Sequence, residues 1–165
     1  MSDSSIYKVP FFNGSMLNHS DAQAILDHHN HARQEVGVQP LIWSTRLAEY
    51  AQSWAGYLSI NNTCTMKHSS CIDNDGNKIG ENLWWGSSYS FYKPIDASIG
   101  WLGEKEYYLY QQFGQLTEKP IGHYTQMVWK NTKEIGVGIA YCANGGMMIV
   151  ASYNPPGNWI GEFPY

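Results

Sequence analysis

From Ser20 to Gly37, Ala22, Ile25, Leu26, His29, Ala32 and Val36 recur at the three-and-four spacing that marks one face of a helix. Ser20-Asp21-Ala22-Gln23 matches a capping box at its start, in which the Ser20 and Gln23 side chains satisfy free backbone amides, and Gly37 supplies a stop. A second stripe, Leu47, Ala48, Ala51, Trp54, Ala55 and Leu58, predicts a helix that begins near Ser44 and is ended by Asn61-Asn62. Pro94-Ile95-Asp96 opens a third helix, with Ile95, Ile99, Trp101 and Leu102 as its apolar positions. On it, Glu104 shares a face with Trp101 and Tyr108. A short fourth helix runs from Gly122 to about Lys130.

The C-terminal third reads differently. Ile135 to Cys142 and Met147 to Tyr153 form the strands of a hairpin, with Ala143-Asn144-Gly145-Gly146 as the turn, because Asn and Gly tolerate positive φ. Asn82-Leu83-Trp84-Trp85 is a short strand, and residues 61–80 before it are a loop. In that loop Asp73-Asn74-Asp75-Gly76-Asn77 starts like a calcium loop. Lys78 replaces the glycine that such a loop needs next, and no Glu closes it, so the reading is a polar turn. Residues 1–19 lack any period and read as an extended or mobile N-terminal arm, leaving 20–165 as a single domain. Helices followed by strands, without repeat or linker, predict an α+β fold with helices covering a small antiparallel sheet.

Composition narrows the function classes. The chain has 165 residues, 43% hydrophobic and 15% charged, which excludes disorder and fits one domain with a proper core. The net charge of −4 supplies no basic field for nucleic acid. No apolar run approaches the roughly 20 residues of a membrane span. Met1-Ser2-Asp3-Ser4-Ser5 has neither the basic nor the apolar region of a secretory leader, while sequons at Asn13, Asn18 and Asn61 hint at secretion. Cys64, Cys71 and Cys142 fit no zinc-ribbon spacing, and an odd number leaves at least one thiol unpaired in a monomer.

No HExxH, GxSxG or phosphate-binding loop is present. His28 and His31 read as a solvated helix face and His29 as a core histidine. Glu81, Glu104 and His123 each stand beside large apolar residues, as groups lining a cleft or forming buried pairs do. Spacing alone does not bring them together.

Two ten-residue stretches do more. Gly122-His123-Tyr124-Thr125-Gln126-Met127-Val128-Trp129-Lys130-Asn131 and Tyr153-Asn154-Pro155-Pro156-Gly157-Asn158-Trp159-Ile160-Gly161-Glu162 strongly resemble the two signature motifs of the CAP superfamily. That family includes cysteine-rich secretory proteins, insect-venom antigen 5 and plant pathogenesis-related proteins of class 1. The resemblance covers about residues 24–165 and takes in His29-Asn30-x-x-Arg33, Pro40-Leu41-x-Trp43, His68-Ser69, Gly80-Glu81-Asn82 and Trp101-x-x-Glu104. It implies an α-β-α sandwich, three layers with the small sheet between helices, and a central cleft lined by His68, Glu81, Glu104 and His123. It also implies that the two histidines can hold Zn2+ or another divalent metal, the glutamates orienting them. A buried polar network is the structural alternative.

By the same resemblance Cys64 and Cys142 match one disulfide of the family, with a local Cys64–Cys71 bridge as competitor. Val137 and Ala151 stand where relatives carry a second pair, and Ile121 where the third has a cysteine. The expected function is that of a secreted binding module for a sterol, a fatty acid or a protein partner. Trp84, Trp85, Tyr89, Phe91 and Tyr92 form its aromatic mouth. The alternative is a metal-dependent hydrolase, a protease or esterase, with Glu81 or Glu104 as general base.

Overall fold

The computed structural model describes residues 7–61 and 63–165; residues 1–6 of the arm, and Asn62 of the expected second helix stop, lie outside the described residues. The elements in order are α1 (His19–Glu35), β1 (Ile42–Trp43), α2 (Thr45–Asn61), β2 (Gly80–Gly86), α3 (Ile95–Gly103), a 3-10 turn (Glu104–Tyr107), α4 (Gly122–Met127), β3 (Glu134–Tyr141) and β4 (Met147–Asn154). The strands make one sheet in the order β1-β3-β4-β2. β4 pairs antiparallel with both β2 and β3, but β1 runs parallel to β3, so the sheet is mixed at one edge.

Strand alternation divides the core into two. Ile149, Ala151 and Tyr153 of β4 and Ile135, Val137 and Ile139 of β3 pack with α1, α3 and α4. Met148 and Val150 face the other way, against Ala51, Ala55 and Leu58 of α2. This is the α-β-α sandwich. α2 lies close because β3 offers it glycines: a Cβ on Gly136 would land in the α2 backbone at Leu47-Ala48, and one on Gly138 at Ala51-Gln52. Gly138→Ala is therefore expected to cost about 3 kcal/mol, the upper end of ordinary overpacking. Gly56 within α2 has nothing within 4 Å of an added Cβ, so Gly56→Ala should instead stabilise by about 0.5–1 kcal/mol. Urea unfolding of both variants measures the contrast.

Other differences from the sequence reading have local causes. The α1 cap is Asn18, not Ser20: its side chain accepts from the Asp21 amide at 2.8 Å. Gln23, the expected capping-box partner, is engaged elsewhere, accepting from the Val9 amide and donating to the Tyr7 carbonyl. Those bonds hold the described part of the arm on the domain, where Val9 and Leu17 are buried. Gln52 of α2 extends the tether: its amide bonds both the N–H and the C=O of Ile139 on β3 and accepts from the Met16 amide. α4 ends at Met127, three residues short of expectation.

Cys64 and Cys142 form the disulfide, with Cα atoms 5.9 Å apart, joining the end of α2 to the β3–β4 turn. Cys71 is free, so the local bridge is not formed. The Asp73 carboxylate is filled by Arg46 and by the amides of Asp75 and Asn77, which accounts for the polar turn.

Candidate functional site

β2 is an edge strand, and Glu81 lies near its start. Glu81 pairs with Ser152 of β4 and so rises from the face toward α2, whereas Asn82 rises from the opposite face. The loop before β2 folds over the Glu81 carboxylate. His68 Nδ1 lies 2.7 Å from Oε1, the Ser69 amide donates to Oε1 at 2.9 Å, and Ser69 Oγ donates to Oε2 at 2.6 Å. Tyr50 of α2 donates its hydroxyl to Ser69 Oγ, which steadies the loop. The Glu81 side chain is fully buried, while that of His68 is 59% exposed.

Glu104, where α3 passes into the 3-10 turn, builds the second pair. Its Oε1 is 2.6 Å from His123 Nδ1, and its Oε2 accepts from the amides of His123 and Tyr124. A helix start leaves such amides unpaired, so one carboxylate both ends α3 and begins α4. Asn158 donates to the Gly122 carbonyl at 2.8 Å and accepts from Thr125 Oγ1 at 2.6 Å, pinning the same turn from the C-terminal segment. Asn82 donates to the His123 carbonyl at 3.1 Å.

The two pairs meet. His68, Glu81, Glu104 and His123, with Asn82 and Asn158, line one hollow of about 200 Å³. In each pair Nδ1 faces the carboxylate, which fixes the ring and leaves Nε2 as the nitrogen available to a cation. The hydrogen bond to Glu81 raises the His68 pKa above the ordinary imidazole value, against the opposing effect of burial. Two oriented imidazoles with two carboxylates beside them are a donor set suited to Zn2+. Ser69, Asn82 and Asn158 set this geometry and were not singled out as site residues. Asn158 lies in the second signature stretch and Asn82 directly after Glu81, so their positions were the available signal.

The aromatic residues do not share one cavity. Tyr89 and Tyr92 line a pocket of about 880 Å³ with Tyr141 and Met147. Trp84 packs edge-on against Tyr92 at 5.3 Å between centroids and is half-buried in the core. Trp85, its neighbour on the strand, points to the opposite face of the sheet, and Phe91 is 80% exposed. Gly86 pairs with Met147, so this pocket lies at the far end of β2 from Glu81, roughly 17 Å along the strand.

Behind the hollow runs a buried chain of hydrogen bonds. His29 Nδ1 donates to the Ile25 carbonyl, Nε2 accepts from the Tyr153 hydroxyl, and that oxygen accepts from Asn82. Burial pushes the His29 pKa down to about 3 from 6.5 and raises that of Tyr153. Unfolded His29 takes up its proton near pH 6.5, and the folded chain resists until about pH 3. The stability it contributes is whole above pH 6.5 and is lost as pH falls toward 3, at up to about 1.4 kcal/mol per pH unit. Urea midpoints from pH 7 to pH 4 should fall more steeply for wild type than for His29→Gln; parallel profiles would show that His29 titrates normally. His28 bonds Ser98 Oγ at 2.7 Å and His31 stays exposed beside Glu35, so neither joins the hollow.

The sandwich and the paired His–Glu hollow define the class. The chain belongs to the CAP family: the family model described as "CAP: Cysteine-rich secretory protein family" matches residues 26–153. It is similar to pathogenesis-related protein 1C of Nicotiana tabacum, 41% identical over 143 residues, covering 87% of this chain and 80% of that protein. Pathogenesis-related protein 1 of Arabidopsis thaliana is 39% identical over 143 residues, covering 87% of this chain and 81% of that protein. Among solved structures, NaASP2 with Zn2+ superposes with a TM-score of 0.73 at 27% identity, over 88% of this chain and 85% of that one. BmVAL-1 does so with a TM-score of 0.72 at 26% identity, over 92% and 84% of the two chains. Among the described residues no helix is long and apolar enough to cross a membrane.

Proposed function

We propose that this chain is a secreted, defence-type CAP protein that acts by binding. His68 and His123 hold a divalent cation, zinc before others, in the hollow. The pocket lined by Tyr89 and Tyr92 takes a small apolar ligand of the sterol or fatty-acid class. The observation that carries the reading is the presentation of two imidazoles on one hollow, each with Nδ1 fixed by its own carboxylate. The similarity to NaASP2, which has been solved with Zn2+, supports it. So do the relatives named as pathogenesis-related proteins and the disulfide, a bond that persists in oxidising compartments.

Zinc bound there would supply a Lewis acid and an activated water. The hydrolase alternative needs Glu81 or Glu104 as a base, yet each already accepts three hydrogen bonds. Carboxylates so engaged serve better as supports for the imidazoles. Calorimetric titration with Zn2+ tests the reading. Glu104→Gln is expected to weaken zinc about 10–100-fold, as loss of an orienting partner does, and His123→Ala by more. Equal zinc uptake by wild type and His123→Ala would refute the metal assignment. Fatty-acid or sterol titration tests the pocket, where Tyr92→Ala should abolish saturable binding. Peptide or ester turnover lost in His123→Ala would instead favour the hydrolase.

A further inference from the structure

Ligating side chains also gather beside the hollow. His68, Cys71 and Glu81 each offer one ligand atom, and these atoms lie within 4.8 Å of one another. Cys71 is tied to the same loop that covers Glu81: its amide donates at 3.0 Å to Ser69 Oγ, the hydroxyl that holds Glu81 Oε2. Ser152 stands opposite Glu81 on β4, so its side chain rises from the same face of the sheet. Its hydroxyl is buried and has no hydrogen-bond partner among the described residues. Such a hydroxyl can donate to a further acceptor on that face of the sheet.

We infer that Cys71, His68 and Glu81 form a thiolate-containing site for a borderline-soft divalent cation such as Zn2+ or Cd2+, sharing His68 with the hollow but not requiring His123. The inference rests on the proposed reading in using His68 as a ligand, and it moves Glu81 from orienting that ring to ligating the ion. Sulfur, imidazole and carboxylate together suit zinc, whereas hard cations take oxygen ligands. Binding exchanges the thiol proton for the metal, and the proton passes to solvent. Thiolate and carboxylate then balance the double charge beside the fully buried Glu81 side chain. Ligand atoms around one zinc stand roughly 3.3–3.8 Å apart at its usual bond lengths, so closing on the ion asks for shifts on the order of 1 Å. The exposed His68 ring is the path of entry.

Co2+ substitution reads the site directly through thiolate-to-metal charge-transfer absorption, and the rate at which Cys71 reacts with an aromatic disulfide reagent reads the thiol. With cobalt, wild type should show the band, and Zn2+ should slow the thiol reaction at least tenfold. His123→Ala should keep both effects. Cys71→Ser, with an unchanged circular dichroism spectrum, should lose the band, and added to His123→Ala it should weaken the remaining Zn2+ binding at least tenfold. A wild-type protein that binds zinc through His123 with no band and no thiol protection would overturn this inference and leave the proposed function standing. A band that disappears in His123→Ala would also overturn it, because the thiol would then only supplement the hollow. Absence of zinc binding in every form would overturn both.

Discussion

Arg33→Met is expected to melt about 8–16 °C below the parent protein. Arg33 is fully buried on α1, and its hydrogen bonds go to backbone oxygens: Nε donates to the Gln39 carbonyl, the two terminal nitrogens to those of Met127, Trp129 and Thr132. Burial lowers its pKa to about 10, so it remains charged at neutral pH. Methionine fills much of the volume and leaves four carbonyls without that donor. Each buried, unsatisfied acceptor costs about 1–3 kcal/mol. Even with partial relaxation the sum should exceed about 4 kcal/mol, a large part of the total stability of a domain. At about 2–4 °C per kcal/mol for a chain of this size, the stated fall follows. Arg33→Lys keeps the charge but loses the planar fork, and should fall between the two. Thermal unfolding followed by circular dichroism measures all three, and a wild-type midpoint for Arg33→Met would show that the carbonyls find other donors. Of the residues that Arg33 holds, Met127 closes α4 and Trp129 and Thr132 follow it, so the substitution should also loosen His123.

Removing the Cys64–Cys142 bond should have an effect of similar size. The bond closes a sequence separation of 78 residues, for which loop entropy gives about 4.5 kcal/mol. Both sulfurs are buried against α2 with Leu58, Leu83 and Met148, so the cross-link also ties the α2-side core to the hairpin. The double variant Cys64→Ser/Cys142→Ser is expected to melt about 9–18 °C lower. In native protein only the Cys71 thiol should react with a thiol reagent, and full reduction should expose all three. A double variant within about 3 °C of the parent would mean that the unfolded chain gains little freedom when the bond is absent.

α1 and α2 were legible because each carries an unbroken apolar stripe of several turns. β3 and β4 were legible from the turn between them, where Gly145 takes φ +87. β1 was not, since two residues carry no period. Asn30 instead holds both backbone groups of Leu41, the residue just before that strand. α4 looked longer because Val128 and Trp129 extend the apolar run, but the chain turns after Met127, where Arg33 takes the carbonyls of Trp129 and Thr132. The four residues of the hollow come from a loop, an edge strand, the end of α3 and the start of α4. No periodicity links such positions, so family resemblance was the only sequence signal for their meeting. The aromatic stretch is divided because strands alternate: Trp84 and Trp85 are neighbours in the chain and face opposite layers.

The bonds that Gln52 makes have a consequence for how molecules of this protein meet one another. β1 covers only the first two residues of β3, and the remainder of that border would offer free amides and carbonyls to a strand from another chain. Gln52 occupies the Ile139 position with its own amide, and Met16 lies over it. Proteolytic loss of the segment ahead of α1 would strip away that shield and leave the Gln52 amide to guard this border against strand pairing with a second chain.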